Sequence, residues 1–307
     1  MTLAELERAF ADGELPKADY IEQIFRLHRQ LFDYADFLRR TGISAIEVSE
    51  RGVLMRARDG DLLLKCDPDD RRLAPIEILN FGHFEAAELA MVLALVEPNA
   101  TVFDIGANIG WYSMQLARRV PGVRLFAFEP VPKTYRLLQE HLALNGISTV
   151  RTFPYGFSDR AGEITFYVDP QGSGNASAAN LTGLERVQQV TCRVERVDDV
   201  ARELEARVDF IKCDVEGAEL LVFRGAEDTL RRQRPAVFVE MLRKWALKFD
   251  YHPNDTIAHF ASLGYRCFAL HGERLAPFTA MDETTTETNF FFLDPVRHAA
   301  ALARLTA

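Results

Sequence analysis

No two of the four cysteines, Cys66, Cys192, Cys213 and Cys267, form a C-x-x-C pair. Such wide spacing fits neither a zinc knuckle nor a dense disulfide frame and is that of reduced thiols. An excess of basic residues is also lacking: 36 Lys and Arg stand against 45 Asp and Glu, a formal net charge of -9. That balance disfavours attachment to phosphate backbones, so nucleic acid is not an expected partner. No apolar run approaches the ~20 residues that a membrane-spanning helix requires. The first residues carry acids at Glu5 and Glu7 rather than the basic-then-apolar order of a secretory leader. Repeats and low-complexity tracts are missing too. A cytoplasmic protein with no membrane span is the expectation.

What is present is an ordinary globular composition, 48% hydrophobic and 26% charged over 307 residues. Ile21, Ile24, His28, Leu31, Ala35 and Leu38 recur at three and four, which predicts an amphipathic helix over 17–40. Its apolar stripe is expected to pack on its own domain, with a homodimer seam as the alternative. Residues 43–66 read as short strands with turns at Arg51-Gly52 and Asp59-Gly60, and a helix over 84–96 leads to Pro98.

From there the pattern alternates. Strands are predicted at 101–105, 123–129, 148–153, 208–213 and 236–241, and helices at 109–120, 132–144, 197–205, 217–231 and 254–263. This order implies an α/β fold, a doubly wound parallel sheet with helices on both faces. Two further strands, 265–270 and 289–293, have no helix between them and are expected to pair as an antiparallel C-terminal hairpin. Seven strands with such an end make the class I methyltransferase (Rossmann-like) plan. The expected division is an N-terminal helical and short-strand (α+β) extension, 1–96, and a catalytic domain, 97–307. An extra strand is expected at 163–168, followed by a small, polar loop at 170–183 that serves as a connector or as a lid over the site.

The sharpest local feature is Val102-Phe-Asp-Ile-Gly-Ala-Asn-Ile-Gly110. A buried strand ends at Asp104, glycines 106 and 110 shape a tight turn, and Asn108 is the expected N-cap of the next helix. The second strand ends at Glu129, 25 positions after Asp104, a distance that suits hydrogen bonds to ribose hydroxyls. Dinucleotide enzymes need G-x-G-x-x-G for their pyrophosphate, whereas this turn reads G-A-N-I-G behind an acid. Asp104 suits the positively charged amino acid end of S-adenosyl-L-methionine instead. A nicotinamide oxidoreductase, a methyltransferase of protein or nucleic acid, and a binding module that has kept the fold are the competing readings.

Phe103-Asp-Ile-Gly-Ala-Asn-Ile-Gly110, Phe128-Glu-Pro130, Gly156-Phe-Ser-Asp159, Phe210-Ile-Lys-Cys-Asp-Val-Glu-Gly-Ala-Glu219 and the strand end Val239-Glu240 occur in this order. Together they resemble the FkbM family of S-adenosylmethionine-dependent methyltransferases, over about residues 80–295. The resemblance implies O-methylation of a small molecule, polyketide or sugar. It implies that Asp104, Gly106, Ala107 and Asn108 line the methionine end of the cofactor. Glu129 with Pro130 would hold the ribose, and Phe157, Ser158 and Asp159 the adenine. Gly82-His-Phe-Glu85 resembles the segment before the core, so Glu85 is expected to cover the cofactor.

Asp214, Glu216 and Glu240 follow the fourth and fifth strands, whose ends border the first in a doubly wound sheet. A carboxylate there could take the proton of an alcohol acceptor. Asp214 and Glu216 are the first candidates, then Glu240, with His83 and His271 as outsiders. Glu219 is expected to be structural. No metal is expected, because the adjacent acids and Asn of metal-dependent catechol and sugar methyltransferases are missing.

Overall fold

The computed structural model describes residues 1–168 and 188–306. Two helices, α1 (Leu3–Ala11) and α2 (Lys17–Phe37), precede a small antiparallel sheet of β1 (Ile43–Ser49), β2 (Gly52–Ala57) and β3 (Leu62–Lys65). Helices α3 (Ala74–Phe81) and α4 (Ala86–Leu95) lead into the alternating region. There β4 (Thr101–Ile105), α5 (Trp111–Arg119), β5 (Arg124–Phe128), α6 (Pro132–Leu144) and β6 (Val150–Phe153) succeed one another. A second small sheet holds β7 (Gly156–Phe157), β8 (Gly162–Val168) and β9 (Gln188–Glu195), in the order β7-β9-β8. The chain continues through α7 (Val197–Glu203), β10 (Phe210–Cys213), α8 (Glu219–Arg224), α9 (Glu227–Gln233) and β11 (Ala236–Glu240). It closes with α10 (Arg243–Ala246), α11 (Pro253–Ser262), β12 (Arg266–His271), β13 (Arg274–Phe278), β14 (Asn289–Leu293) and α12 (Ala299–Leu305).

The large sheet runs β13-β12-β14-β11-β10-β4-β5-β6. Strands β6, β5, β4, β10 and β11 are parallel, and β14 lies antiparallel between β11 and β12. The class I α/β plan is therefore present, with one strand more than the seven expected. Strands β12 and β14 pair antiparallel as expected, and the extra strand is Arg274–Phe278, which follows β12 directly and pairs with its outer edge. Its Arg-Leu-Ala-Pro-Phe carries a proline, which an outer strand tolerates and which hides it from a β pattern.

Alternation along the strands sends side chains to two faces, and both are covered. Val102, Leu125, Phe210, Phe238 and Phe291 share one apolar cluster. Phe103, Phe126, Ile211, Val237, Phe290 and Phe292 share the other. Phe290, Phe291 and Phe292 are each fully buried, and full burial of such a side chain contributes about 1.5–3 kcal/mol.

The single helix expected over 217–231 is two, α8 and α9. A Cβ at Gly225 would meet the Ser158 carbonyl, and the Asp198 carboxylate accepts from the N–H groups of Asp228 (3.1 Å) and Thr229 (2.8 Å). A carboxylate from another element thus starts the second helix afresh.

The first small sheet is sewn into the alternating region. Ile43, Met55, Leu62 and Leu64 lie in the same cluster as Trp111 and Phe238. His141, fully buried on α6, accepts from Lys65 N–H through Nε2 (2.9 Å) and has Nδ1 2.9 Å from the Ile109 carbonyl. Asn145 exchanges two 2.8 Å hydrogen bonds with the backbone of Leu63.

Helix α2 departs from its expectation. None of its residues is buried, and Ile21, Phe25, Leu31 and Phe32 are each more than half exposed. It leans on α1, with Phe10 and Tyr20 stacked at 4.5 Å, and only its end, at Phe37 and the following Leu38, reaches the main core. The periodicity predicted the helix correctly but not what covers it.

Among the described residues no single helix is long and apolar enough to cross a membrane. The expected loop at 170–183 lies outside the described residues.

Candidate functional site

The site lies at the carboxyl ends of the parallel strands, beside the switch point between β4 and β10, the usual ligand crevice of an open α/β sheet. After β4 the chain turns through Gly106 (φ 71), Asn108 (φ 48) and Gly110 (φ 88) before α5 begins at Trp111. A Cβ at Gly106 would run into the Asp214 carbonyl, so glycine lets the ends of β4 and β10 close on each other. Gly110, rather than Asn108, occupies the N-cap position of α5, and no side chain caps it. Asn108 stands two residues before that position, and its backbone N–H donates to Glu129 Oε2 at 3.0 Å.

Glu129 is buried, and its second oxygen accepts from Val131 N–H at 2.9 Å. Burial pushes its carboxyl up to about 7, against those two N–H groups, which pull it down. Each oxygen keeps a lone pair for a further donor.

A cavity of about 260 Å³ lies against this turn. Gly106, Asn108, Glu129 and Pro130 form one side, and Phe157, Ser158, Ile164 and Phe166 form another. An apolar slot ending at a buried carboxylate matches a nucleoside, with a base between aromatic and aliphatic walls and ribose hydroxyls on the acid. Asn108 Oδ1 is buried with no hydrogen-bond partner among the described residues and awaits a donor. Asp159 is exposed and outside the lining; its Oδ1 receives the Ser158 hydroxyl at 3.2 Å.

A second cavity, of about 150 Å³, adjoins the first and shares Asn108, Asp214 and Glu216 with it. Its walls include Ala107, Tyr112, Lys212, Glu240 and Trp245, and from the extension Arg72, Phe84 and Glu85. Glu85 therefore stands in this chamber rather than over the nucleoside slot. Both Glu85 (φ 46) and Glu216 (φ 56) hold left-handed backbone, costly for a side chain other than Gly, Asn or Asp and a mark of functional positions.

Asp214, Glu216 and Glu240 do converge, with one carboxylate oxygen of each within 4.8 Å of the others. Crowding sets their charge. Burial, then Asp214, then Glu240, pushes the Glu216 carboxyl well above the usual range. Burial and Asp214 do the same to Glu240, which in its protonated form donates to Asp214. The grouping is also one that could hold a cation.

Asp104 lines neither cavity. It is 1% exposed, its Oδ2 accepts from the Ser113 hydroxyl at 2.6 Å, and Oδ1 lies 3.7 Å from Lys212 Nζ. Parallel register places Lys212 directly beside Asp104. Lys212 was missed in the sequence, although a lone lysine in a buried strand is itself a signal. Glu219 is structural as expected: it accepts from Gly217 N–H (2.8 Å) and the Tyr251 hydroxyl (3.1 Å). His83 and His271 are exposed and line neither cavity.

This fold, with a nucleoside slot opening on a carboxyl-lined chamber, defines a class I methyltransferase architecture. The methyltransferase FkbM domain matches residues 104–267, more than half of the chain, and the chain belongs to that family. The family's cofactor is S-adenosyl-L-methionine, and the slot fits it. Three relatives carry methyltransferase names. The chain is 32% identical over 166 residues to methyltransferase sdnD of Sordaria araneosa (44% of this chain, 64% of that protein). It is 30% identical over 160 residues to 2-O-methyltransferase NoeI of Sinorhizobium fredii (47% and 64%). It is 27% identical over 161 residues to 31-O-demethyl-FK506 methyltransferase FkbM of Streptomyces tacrolimicus (43% and 62%). The chain thus covers less than two thirds of each of these relatives.

Proposed function

We propose that this chain is an S-adenosylmethionine-dependent O-methyltransferase acting on a hydroxyl of a small molecule, polyketide or sugar. The observation that carries this reading is the meeting of two cavities at Asn108, Asp214 and Glu216. One has the lining of a nucleoside site; the other offers carboxyls where an acceptor would enter.

Glu129 would accept the ribose hydroxyls, with Pro130 beside it. Phe157, Ile164 and Phe166 would enclose the adenine, Ser158 and Asp159 standing at its edge. Gly106, Ala107 and Asn108 would receive the methionine end, with Glu85 facing them and Asp104 acting from beneath. The bound cofactor supplies a methyl activated by its sulfonium. The protein's task is then to align the acceptor and take its proton. Asp214 stands at the junction and is the first candidate for that proton. Glu216 and Glu240, pushed toward their neutral forms, are better suited to hydrogen-bond the acceptor. The names of two relatives, 2-O-methyltransferase NoeI and 31-O-demethyl-FK506 methyltransferase FkbM, support oxygen as the nucleophile.

The acid-rich second chamber supports a small-molecule or glycan acceptor rather than nucleic acid. A second copy of the chain is the partner we assign to the bare apolar stripe of α2. Sedimentation of Phe25→Glu/Phe32→Glu beside wild type tests that assignment, and an unchanged monomer in both would end it.

Calorimetry with S-adenosylhomocysteine, on wild type, Glu129→Ala and Asp104→Ala, tests the cofactor assignment; unchanged affinity in both variants would remove it. Asp214→Asn should lower kcat by about 10²–10⁴-fold, the span of a positioned base, with cofactor affinity nearly kept. A methyl group found on nitrogen or carbon would overturn the O-methyltransferase reading.

A further inference from the structure

Strand β10 is buried from end to end, yet its third residue is a lysine whose side chain is 6% exposed. An ammonium pays heavily for leaving water unless it is paired and hydrogen-bonded. Lys212 Nζ donates to the Gly106 carbonyl at 2.6 Å and stands 3.4 Å from Asp214 Oδ2. Asp104 Oδ1 is farther, at 3.7 Å, and the Tyr112 ring centroid lies 5.8 Å away. The two nearest partners are thus the two that border the nucleoside slot, while the more distant one lines no cavity. Had the lysine served only to neutralise a buried acid, Asp104 would be its closest contact.

We infer that Lys212 is a positioning residue for methyl transfer, holding the Gly106 carbonyl and the Asp214 carboxylate at the junction of the two cavities. This rests on the proposed methyltransferase reading. Through it a single cation ties the ends of β4 and β10 together, at the place where glycine has already let them touch. It also sets the charge of the chamber. Asp104 faces it from β4, Asp214 from the end of β10, Glu85 from the turn before α4 and Tyr112 from α5. Across Asp214 stand Glu216, Glu240 at the end of β11, and Glu219 on α8. Burial opposes the lysine's charge, and Asp214, Asp104 and Glu85 outweigh it, so the ammonium persists beyond its ordinary range. One fixed cation among these acids leaves a carboxylate able to receive a proton.

The test is Lys212→Met, close in length and uncharged, read by calorimetry with S-adenosylhomocysteine and by kcat and KM for methyl transfer across pH. Affinity for S-adenosylhomocysteine should fall about tenfold or more. On the scale of a positioned base, kcat should fall by about 10²-fold with acceptor KM little changed. The acidic limb of the rate profile should move to higher pH, because a carboxyl cluster that loses its cation ionises later. Adding Asp214→Asn to Lys212→Met should cost little more, since two residues acting through one contact are not additive. If Lys212→Met does not fold, Asp104→Asn/Lys212→Met restores the charge balance and is read against Asp104→Asn alone, so that only the further loss is assigned to Lys212. A folded variant with wild-type affinity, kcat and pH profile overturns the inference, as do losses that simply multiply in the double variant. A wild-type protein that binds no S-adenosylhomocysteine overturns the functional reading itself.

Discussion

The Tyr112 hydroxyl donates to Glu85 Oε2 at 2.7 Å, across 27 positions of chain. One residue lies in the first turn of the helix behind the glycine turn, and the other stands just before α4 in the wall of the second chamber. Burial pushes the Glu85 carboxyl up to about 7, with the tyrosine hydrogen bond pulling against it. Removing that donor in Tyr112→Phe should push the carboxyl higher still. A hydrogen bond to a charged group is worth about 1.5–3 kcal/mol, so cofactor affinity should weaken by roughly 10–100-fold at pH 7. Calorimetry with S-adenosylhomocysteine checks this, and unchanged affinity would detach Glu85 from the cofactor.

Cofactor binding should itself depend on pH. On the proposed assignment, ribose hydroxyls would donate to the ionised form of Glu129, whose carboxyl burial pushes up to about 7. Binding then releases a proton below that value. Affinity should fall as pH drops below 7, by up to tenfold per unit for one coupled proton, and level off above. Titrations from pH 5.5 to 8.5 would show it. A flat profile would mean that Glu129 is not the ribose ligand.

Stability should run the other way. Glu85, Glu129 and Glu219 are each raised to about 7, and Glu216 and Glu240 well above the usual range. A carboxyl raised in the native state binds more protons there than when unfolded. Its stabilising share is full below the ordinary glutamate range and is lost as pH rises through the native value. Glu240→Gln, which keeps a donor toward Asp214 without the charge, should raise Tm by a few degrees at pH 8 and leave it unchanged at pH 4. Thermal melts of the empty protein decide it; an equal or lower Tm at pH 8 would show that Glu240 is ionised at rest.

Chelation separates the two uses of the carboxyl cluster. With Lys212 already 3.4 Å from Asp214, and Glu216 and Glu240 pushed neutral, turnover is expected to survive EDTA. Activity lost to EDTA and restored by magnesium would turn Asp214, Glu216 and Glu240 into ligands.

The parallel strands could be read because strands covered on both faces are unbroken apolar runs, as in Phe126-Ala-Phe128 and Ala236-Val-Phe-Val239. Glu129, Asp214 and Glu240 were legible because strand ends point to one crevice. What escaped is non-local. The worth of Lys212 depends on Asp104 and Gly106, more than a hundred positions earlier, and no window on the chain contains them together. Asp104 was assigned to the cofactor from its place at a strand end, without the lysine that the register sets beside it. The β9 strand was missed as the partner of β8 because its Gln-Gln-Val-Thr-Cys-Arg-Val-Glu is half polar, as one face of a small open sheet allows. Helix α2 shows the opposite limit: a period reveals an apolar face but not its occupant.

The stitching of Leu63 and Lys65 to Asn145 and His141 has a consequence for how such a protein can change. Arg72, Phe84 and Glu85, which wall the second chamber, sit in a stretch that cannot be lifted out without opening the hydrophobic interior. Exchanging the whole stretch between relatives would break the fold along with the preference. The lining of that chamber is therefore open to single replacements at its wall, each tolerated or refused by the same packing that holds the fold together.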